Sequence, residues 1–137
     1  MKLSLETRSA NMIHSYEAGS VKIQQYFAES ALDSDMVNSS LMTLTSSLIV
    51  TPDELIQDWL SNPHTLTKQD MVRLLDTQPE VILLGTGDVL NFPDNEILQQ
   101  CYQQQIGIEV MNTAAACRTY NVLASEHRKV AAALMVV

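Results

Sequence analysis

The carboxy-terminal part, residues 80–137, constrains the fold of this 137-residue chain more than any other segment. It begins with an apolar run at residues 81–84 and ends with another at 130–136. Both runs are apolar on two faces, which is typical of strands that have a layer packed on each side. Between them lie a helical, a strand and a second helical pattern, at residues 93–104, 108–111 and 114–125. This order predicts a βαβαβ unit, and hence an α/β fold with helices covering the sheet.

The amino-terminal part, residues 1–50, is predicted to be rich in β-strand. Apolar and polar residues alternate in three segments, at residues 2–6, 12–16 and 21–25. Gly19 suits a hairpin turn between the last two, and residues 41–50 form a further β-rich run. Residues 28–40 are rich in Ser, Asp and Asn, which predicts a loop or a short irregular helix. We expect residues 1–137 to form a single domain, with these strands extending the sheet or forming a second layer.

Two capping boxes predict short helices between these parts. Thr51 is a candidate N-cap that is followed by a proline at the first helical position and by Glu54 at the third. This pattern predicts a helix that continues to residue 60. Thr67, with Asp70 at the third helical position, predicts a second helix that ends near residue 76.

Two further signals lie inside the carboxy-terminal unit. Gly107 is expected to end helix 93–104 with a positive φ, because glycine adopts that conformation without a steric cost. Thr113 is a candidate for the N-cap of helix 114–125.

The composition limits the class of function. The chain has 16 acidic and 8 basic residues, a formal net charge of −8, and the basic residues are scattered along it. Such a surface repels a phosphate backbone, so nucleic acid is not an expected partner. No apolar stretch is long enough to span a bilayer, and the amino terminus lacks the pattern of a targeting peptide. We therefore expect no membrane insertion, a cytoplasmic location, and reduced thiols at Cys101 and Cys117.

The turn Gly85-Thr86-Gly87 follows a predicted strand, as a dinucleotide-binding loop would. However, Leu90 stands at the position of the third glycine, and the next helix begins only at Pro93. The sequence therefore favours a tight turn over a nucleotide site, and no cofactor is expected.

The nucleophiles and metal ligands do not form a complete pattern. Cys117 lies one turn into a predicted helix, where the helix dipole can lower a thiol pKa. His127, the next histidine along the chain, would lie about 15 Å further along a continuous helix, beyond hydrogen-bond reach. A buried packing cysteine is favoured, and a catalytic thiol is the alternative. No metal site is expected, because His14, His64 and His127 are dispersed.

Glu109 is the most informative single charge because it interrupts an otherwise apolar strand. It either marks a solvent-facing edge or pairs, partly buried, with a cation such as Arg118 or Arg128. We favour the ion pair, with Arg118 as the candidate partner, because a helix is expected to cover that strand.

The strand ends predict where a concave site would lie. In open α/β sheets, ligands bind in the crevice at the carboxyl ends of strands where strand order reverses. Strands 81–84 and 108–111 end there, so the candidate binding residues are those of the two loops and one nearby cation, namely Gly85, Thr86, Gly87, Asp88, Asn112, Thr113 and Arg118. The first amides of the following helix would favour an anion. In the alternative interpretation, Asn112 and Thr113 only cap the helix and Arg118 pairs with Glu109.

Several segments of the chain match the pattern of a known family, namely residues 85–87, 92–93, 106–113, 115–123, 126 and 128–134. Through these segments the chain resembles a family of small α/β domains of unknown function. The most specific run among them is Cys117-Arg118-Thr119-Tyr120-Asn121. The family includes the mitochondrial respiratory complex I assembly factor three, an NADH:ubiquinone oxidoreductase assembly factor, and an adipogenesis-associated cytosolic protein.

The resemblance implies a three-layer α/β fold around a mixed sheet, and a bacterial-type member with one domain. It implies a role in protein interaction or assembly and no known catalytic residue. The sequence departs from the family at Asn112, where aspartate is more usual, and at Ala114 and His127, where glycine is frequent. The first two departures lie where a loop enters a helix, so the local backbone is expected to differ there.

Two functions remain open at this point. The first is a non-enzymatic protein-interaction or assembly module, with a protein partner and a possible homo-oligomer. The second is a small-molecule binding protein, for an anion, or a weak enzyme that uses the crevice at the strand ends. A stoichiometric protein partner would favour the first, and a saturable ligand the second.

Overall fold

The computed structural model describes residues 10–25 and 41–137. The strand predicted at 2–6 and the loop predicted at 28–40 lie outside these residues. The described elements, in chain order, are β1 (Met12–Glu17), β2 (Ser20–Gln24), β3 (Leu41–Leu44), β4 (Leu48–Val50), β5 (Leu55–Gln57), α1 (Lys68–Leu75), β6 (Val81–Gly85), α2 (Asn95–Gln103), β7 (Gly107–Met111), α3 (Thr113–Ser125) and β8 (Val130–Leu134). The βαβαβ unit and the hairpin with Gly19 in its turn are confirmed.

The central sheet has five strands in the order β5-β4-β8-β6-β7 and is mixed. Strands β8, β6 and β7 are parallel, whereas β4 is antiparallel to both β5 and β8. Strand β8 lies at the centre of the sheet, and all five of its residues are buried. The prediction of an interior strand from a run apolar on both faces is therefore confirmed.

Three layers result because the residues of β8 alternate between two hydrophobic cores. Ala131 and Ala133 face a core formed with helices α1 and α2. Val130, Ala132 and Leu134 face a second core formed with helix α3. The alanines leave room for both helix layers to approach the sheet closely. The fold is therefore a three-layer α/β arrangement around a mixed sheet.

A second, three-stranded sheet, β1-β2-β3, packs on helix α3. Its edge strand β1 is fixed by side chains of the helix. The amide of Asn121 accepts from the backbone N–H of Ile13 at 2.9 Å and donates to the carbonyl of Ile13 at 2.7 Å. The Tyr120 hydroxyl donates to the carbonyl of Asn11 at 2.8 Å. Asn121 thus satisfies the outward backbone groups of an edge strand, as a neighbouring strand would.

The helix predicted from Thr51 to residue 60 is wrong. The Thr51 hydroxyl does accept from the amide of Glu54 at 2.9 Å, as a cap would. However, the Thr51 N–H donates to the Glu54 carbonyl, which closes a turn, and β5 follows. Strand β5 pairs with β4 over three residues, so sheet pairing overrides the local helix signal. The box at Thr67 and Asp70 is confirmed at the start of α1.

Two local predictions in the carboxy-terminal unit are also wrong. The residue with a positive φ after α2 is Gln105, at 60°, whereas Gly107 is the first residue of β7. The N-cap of α3 is Asn112, whose side chain accepts from the amide of Ala115, and Thr113 is the first helical residue. Asparagine serves this position as aspartate would, so the departure at Asn112 leaves the cap intact.

Candidate functional site

The loops that follow β6 and β7 meet at the carboxyl ends of these strands, as predicted. Thr113 joins them: its N–H donates to the Gly87 carbonyl at 2.9 Å, and its hydroxyl accepts from the Gly87 N–H at 2.8 Å. The same hydroxyl donates to the Met135 carbonyl at 2.9 Å. Thr113 is fully buried. The candidate crevice is therefore closed by the protein's own threonine, which ties the two loops to the segment after β8.

The glycines of this loop are required by packing. A Cβ at Gly85 would lie 2.9 Å from the Cα of Thr113 and 3.2 Å from the Cβ of Ala116, so the approach of α3 to β6 depends on glycine. Gly87 has a φ of +90°, a conformation that side-chain-bearing residues rarely adopt. The interpretation of Gly85-Thr86-Gly87 as a tight turn agrees with these contacts.

Three of the first four amides of α3 are engaged within the protein. Thr113 donates to Gly87, Ala115 to the Asn112 side chain at 2.8 Å, and Ala116 to the Asn112 carbonyl at 3.0 Å. The expectation that the first amides are open donors for an anion is therefore wrong for these three, because the cap and the loop already satisfy them.

Thr86 organises the beginning of the next loop. Its N–H donates to the carbonyl of Met111, the last residue of β7, at 2.9 Å. Its hydroxyl donates to the Val89 carbonyl at 2.8 Å and accepts from the Asn91 N–H at 3.1 Å. The loop after β6 is therefore held against the end of β7.

The two charged residues of the predicted crevice face the amino-terminal sheet. Asp88 accepts from the Tyr16 hydroxyl at 3.1 Å. Burial and this carboxylate raise the pKa of Tyr16 to about 12. Arg118 is exposed and lines a cavity of about 170 Å³ between α3 and β1, together with His14 and Cys117. The structure thus brings Gly85, Thr86, Gly87 and Thr113 together and places Arg118 on a different wall.

The predicted ion pair of Glu109 with Arg118 is wrong. Glu109 is exposed on β7, the edge strand of the central sheet. Among the described residues, the ion pairs within 4 Å join Lys68 to Glu96 and Arg128 to Glu80. Glu109 is therefore the solvent-facing edge residue of the alternative interpretation, because it is exposed and β7 is the last strand of the sheet.

Both cysteines are free and buried. Burial raises the pKa of Cys117 to about 12 and also raises the pKa of Cys101. Burial thus outweighs the opposite effect of the nearby Arg118 guanidinium on Cys117. Cys117 is a packing residue in the core shared by α3 and the central sheet, as the favoured interpretation predicted.

A larger cavity, of about 380 Å³, lies at the opposite end of the central sheet, near the start of β8. Asp53 and Glu54 line one part of it, and His127, Arg128 and Lys129 another. Its charges have mixed sign. No sequence pattern pointed to this cavity, because its walls come from segments that are far apart in the chain, among them the turns at residues 51–54, 77–79 and 127–129.

The feature that sequence reasoning missed is an apolar loop on the surface, residues 88–93. Val89 is 73% exposed, Leu90 50% and Phe92 65%. Three large apolar side chains exposed within four positions are unusual on an isolated domain. A signal was present in the sequence. These apolar residues lie between a turn and the start of a helix, so they belong to neither the apolar spacing of a helix nor that of a strand, and no core position is predicted for them.

The fold is similar to that of several solved structures. A Mth938-like domain from Bordetella pertussis superimposes with a TM-score of 0.69, at 21% identity, over 92% of this chain and 85% of that one. A Xanthomonas campestris protein, 34% identical, superimposes with a TM-score of 0.73 over 95% of this chain and 87% of its own. The fold is thus that of the Mth938-like domains.

The family follows from a match over most of the sequence. The chain belongs to the family described as "Protein of unknown function (DUF498/DUF598)", which matches residues 13–135. A further member of the same fold, described as an outer membrane protein from Bartonella henselae, is 30% identical and has a TM-score of 0.72, with 95% of this chain and 98% of that chain covered.

The sequence is also similar to several named proteins. NADH dehydrogenase (ubiquinone) 1 alpha subcomplex assembly factor 3 of Homo sapiens is 28% identical over 127 residues, which are 88% of this chain and 69% of the human protein. The 13 kDa major membrane protein of Francisella tularensis subsp. holarctica is 35% identical over 74 residues, 54% of this chain. The match covers 60% of the Francisella protein, less than two-thirds of its length.

Membrane-spanning helices and metal-binding clusters are both absent from the described part of the chain. None of the helices in this part of the chain is both long and apolar enough to cross a membrane. Within residues 10–25 and 41–137, His, Cys, Asp and Glu form no group of three or more that could hold a metal ion.

Proposed function

We propose that this chain is a non-enzymatic protein-interaction module of the assembly-factor type. The observation that carries the proposal is the apolar loop 88–93, whose three large side chains are exposed. Burying such side chains against a partner removes apolar surface from water, at about 25 cal/mol for each Å². The loop is held in place by Thr86, so little conformational entropy is lost when it binds.

Two further observations support the proposal. The predicted crevice is filled by Thr113, whose polar atoms are all paired inside the protein. The named human relative is an assembly factor, and its similarity covers 88% of this chain. We propose that the partner is a protein, and that the chain acts in the cytoplasm.

Affinity capture with matched variants tests this function. Leu90→Ser/Phe92→Ser removes two exposed side chains of the loop, and Val72→Ser/Val122→Ser removes two exposed side chains elsewhere, on α1 and α3. We expect the wild type and the control pair to retain one partner at a constant molar ratio, and the loop pair to lose it. Equal retention by all three would contradict the proposal.

A second candidate is an anion-binding protein that uses Arg118, away from the closed crevice. The specific observation in its favour is the cavity of about 170 Å³ beside Arg118, His14 and Cys117. A thermal-shift screen of small anions distinguishes the two functions. A saturable rise in melting temperature that Arg118→Ala abolishes, with the stability of the unliganded protein unchanged, would favour this candidate.

A further inference from the structure

We propose that β7 is a docking edge for an extended segment of the partner protein, and that this segment carries a Lys or Arg opposite Glu109. The inference rests on the proposed function and names the chemistry of the partner. It follows from the direction of the backbone groups of β7, from its position beside the apolar loop 88–93, and from the charge of this part of the chain.

The outward backbone groups of β7 belong to Ile108 and Val110. The N–H of Gly107 donates to the Glu80 carbonyl and the carbonyl of Met111 accepts from Thr86, so both residues bond toward the β6 side. Backbone direction alternates along a strand, so residues 108 and 110 direct their N–H and C=O groups away from β6. No strand in the described part of the chain pairs with that side of β7. Two donors and two acceptors therefore stand in register for a further strand.

The apolar loop 88–93 begins beside the carboxyl end of β7. Thr86 bonds to Met111 at the end of β7 and to Val89 and Asn91 in the loop. A strand added to β7 would therefore reach the exposed side chains of the loop at its end. Backbone hydrogen bonds along the edge would align the partner segment, and apolar contacts with Phe92 would add affinity.

The net negative charge of residues 81–111 favours a basic partner. Residues 81–111, which include β6, the loop, α2 and β7, contain no Lys or Arg. Their four acidic residues are Asp88, Asp94, Glu96 and Glu109. Glu96 pairs with Lys68 of α1 at 3.1 Å, whereas Glu109 is exposed on the edge strand itself. Opposite charges on directly paired strands stabilise the pair, and like charges destabilise it.

The same charge disfavours a second copy of this chain as the occupant. An antiparallel pair of β7 strands centred on residue 109 would place Glu109 of one copy directly opposite Glu109 of the other. Like charges in that position are destabilising, and the acidic segments around both edges would repel each other as well. An anionic lipid surface would be repelled for the same reason.

Peptides of defined charge test the proposal. The probes are two acetylated peptides of alternating Val and Thr, identical except for a central Lys or Glu. We expect the wild type to bind the Lys peptide about threefold to tenfold more tightly than the Glu peptide, because one cross-strand pair changes sign. The bound peptide should shift the amide resonances of Ile108 and Val110. Failure of both peptides to bind would overturn the proposal.

Four variants make the test specific. Glu109→Lys, at an exposed position, should reverse the preference and favour the Glu peptide. Val110→Pro removes an outward N–H, a change that edge strands tolerate, and should weaken binding about tenfold or more. It also removes a partly buried side chain that packs on the core, so its melting temperature is compared with that of Val110→Ala, which keeps the N–H and should keep the binding. Glu109→Pro removes an inward N–H and should instead lower the melting temperature. An unchanged preference in Glu109→Lys would overturn the proposal even if Val110→Pro failed to fold.

The outcomes also separate this proposal from the proposed function. A partner that the loop variants lose but Val110→Pro retains would overturn the docking edge and leave the interaction module intact. A concentration-dependent dimer that Val110→Pro breaks would assign the edge to a second copy. Binding to anionic lipid vesicles through Phe92, with no peptide binding, would assign this surface to a membrane, and either result would overturn the proposal.

Discussion

Cys117 shows how one residue's environment decides between a reactive and an inert thiol. It lies near the start of α3, where a dipole would favour the thiolate, but it is only 5% exposed and its pKa is raised to about 12. At neutral pH it is therefore a protonated packing residue. We expect a thiol-alkylating reagent to label it much more slowly in the native protein than after denaturation, as measured by mass spectrometry of the intact chain.

The same shift predicts a loss of stability at alkaline pH. The pKa of the Cys117 thiol is raised from its ordinary 9.0, so above about pH 9 the unfolded chain loses this proton before the native protein does. The free energy of unfolding should then fall as pH rises toward about 12, by up to about 1.4 kcal/mol per pH unit for this group. Urea unfolding of the wild type and Cys117→Ala over this range measures it; identical slopes would contradict the assignment.

His127 occupies a position that favours glycine. Its φ is 63°, and its N–H and that of Arg128 close the end of α3 on the carbonyls of Ala124 and Leu123. This is the left-handed residue that ends a helix, and a side chain there costs about 1 kcal/mol. We expect His127→Gly to raise the free energy of unfolding by about 1 kcal/mol. Ser125→Gly, inside the last turn of the helix, should instead lower it, as measured by the same urea titration.

At the scale of elements, the most specific run of the sequence has a structural role. Tyr120 and Asn121 hold β1 against α3 through its backbone. Asn121→Asp retains an acceptor for the Ile13 N–H but places a carboxylate against the Ile13 carbonyl. We expect a loss of about 1–3 kcal/mol, with faster hydrogen exchange at Ile13, because a buried pairing becomes repulsive. Asn91→Asp, in an exposed loop, is the matched control and should leave both measurements nearly unchanged.

The largest loss of stability is expected for a substitution at the centre of the sheet. Ala132 on β8 is fully buried, between β4 and β6 and against α3. Ala132→Asp would bury a carboxylate with no partner, which should cost several kcal/mol and lower the melting temperature sharply. Thr43→Asp, at an exposed position of β3, introduces the same side chain without that cost. A normal melting temperature for Ala132→Asp would contradict the interior position of β8.

The elements also show what the sequence could and could not predict. The run at 130–136 predicted a buried strand because residues apolar on two faces admit few other positions. Thr51 misled because its hydroxyl caps a turn as readily as a helix. The pairing of β5 with β4 decides between the two structures, and the capping pattern carries no information about that pairing. Glu109 could not be placed because strand order determines whether a helix covers it, and strand order is not encoded locally.

At the scale of the molecule, one hydrophobic core joins the two parts of the chain. Ile13, Val21 and Ile23 of the small sheet belong to the same core as Leu83 and Ala132 of the central sheet. The two sheets are therefore packed through α3 and do not stand apart. We propose on this basis that residues 1–137 act as a single domain, with the interaction surface at the end of the sheet that lies away from the larger cavity.

The distribution of charge sets the character of that surface. The segment 81–111 contains four acidic residues and no Lys or Arg, whereas Arg128 and Lys129 lie at the other end of β8. The apolar loop 88–93 projects from the acidic side. A basic partner with an extended segment satisfies both features, because it neutralises the acidic residues and buries the loop.

The interaction surface is tested most directly by hydrogen–deuterium exchange of the full chain, alone and bound to the partner that it captures. We predict that the partner slows exchange in the loop 88–93 and at residues 108 and 110 of β7, whose N–H groups point outward in the structure. Residues 113, 115 and 116 should change little, because their amides are already bonded within the protein. Protection confined to residues 112–118, with the loop and β7 unchanged, would contradict the proposed surface and return the function to the crevice.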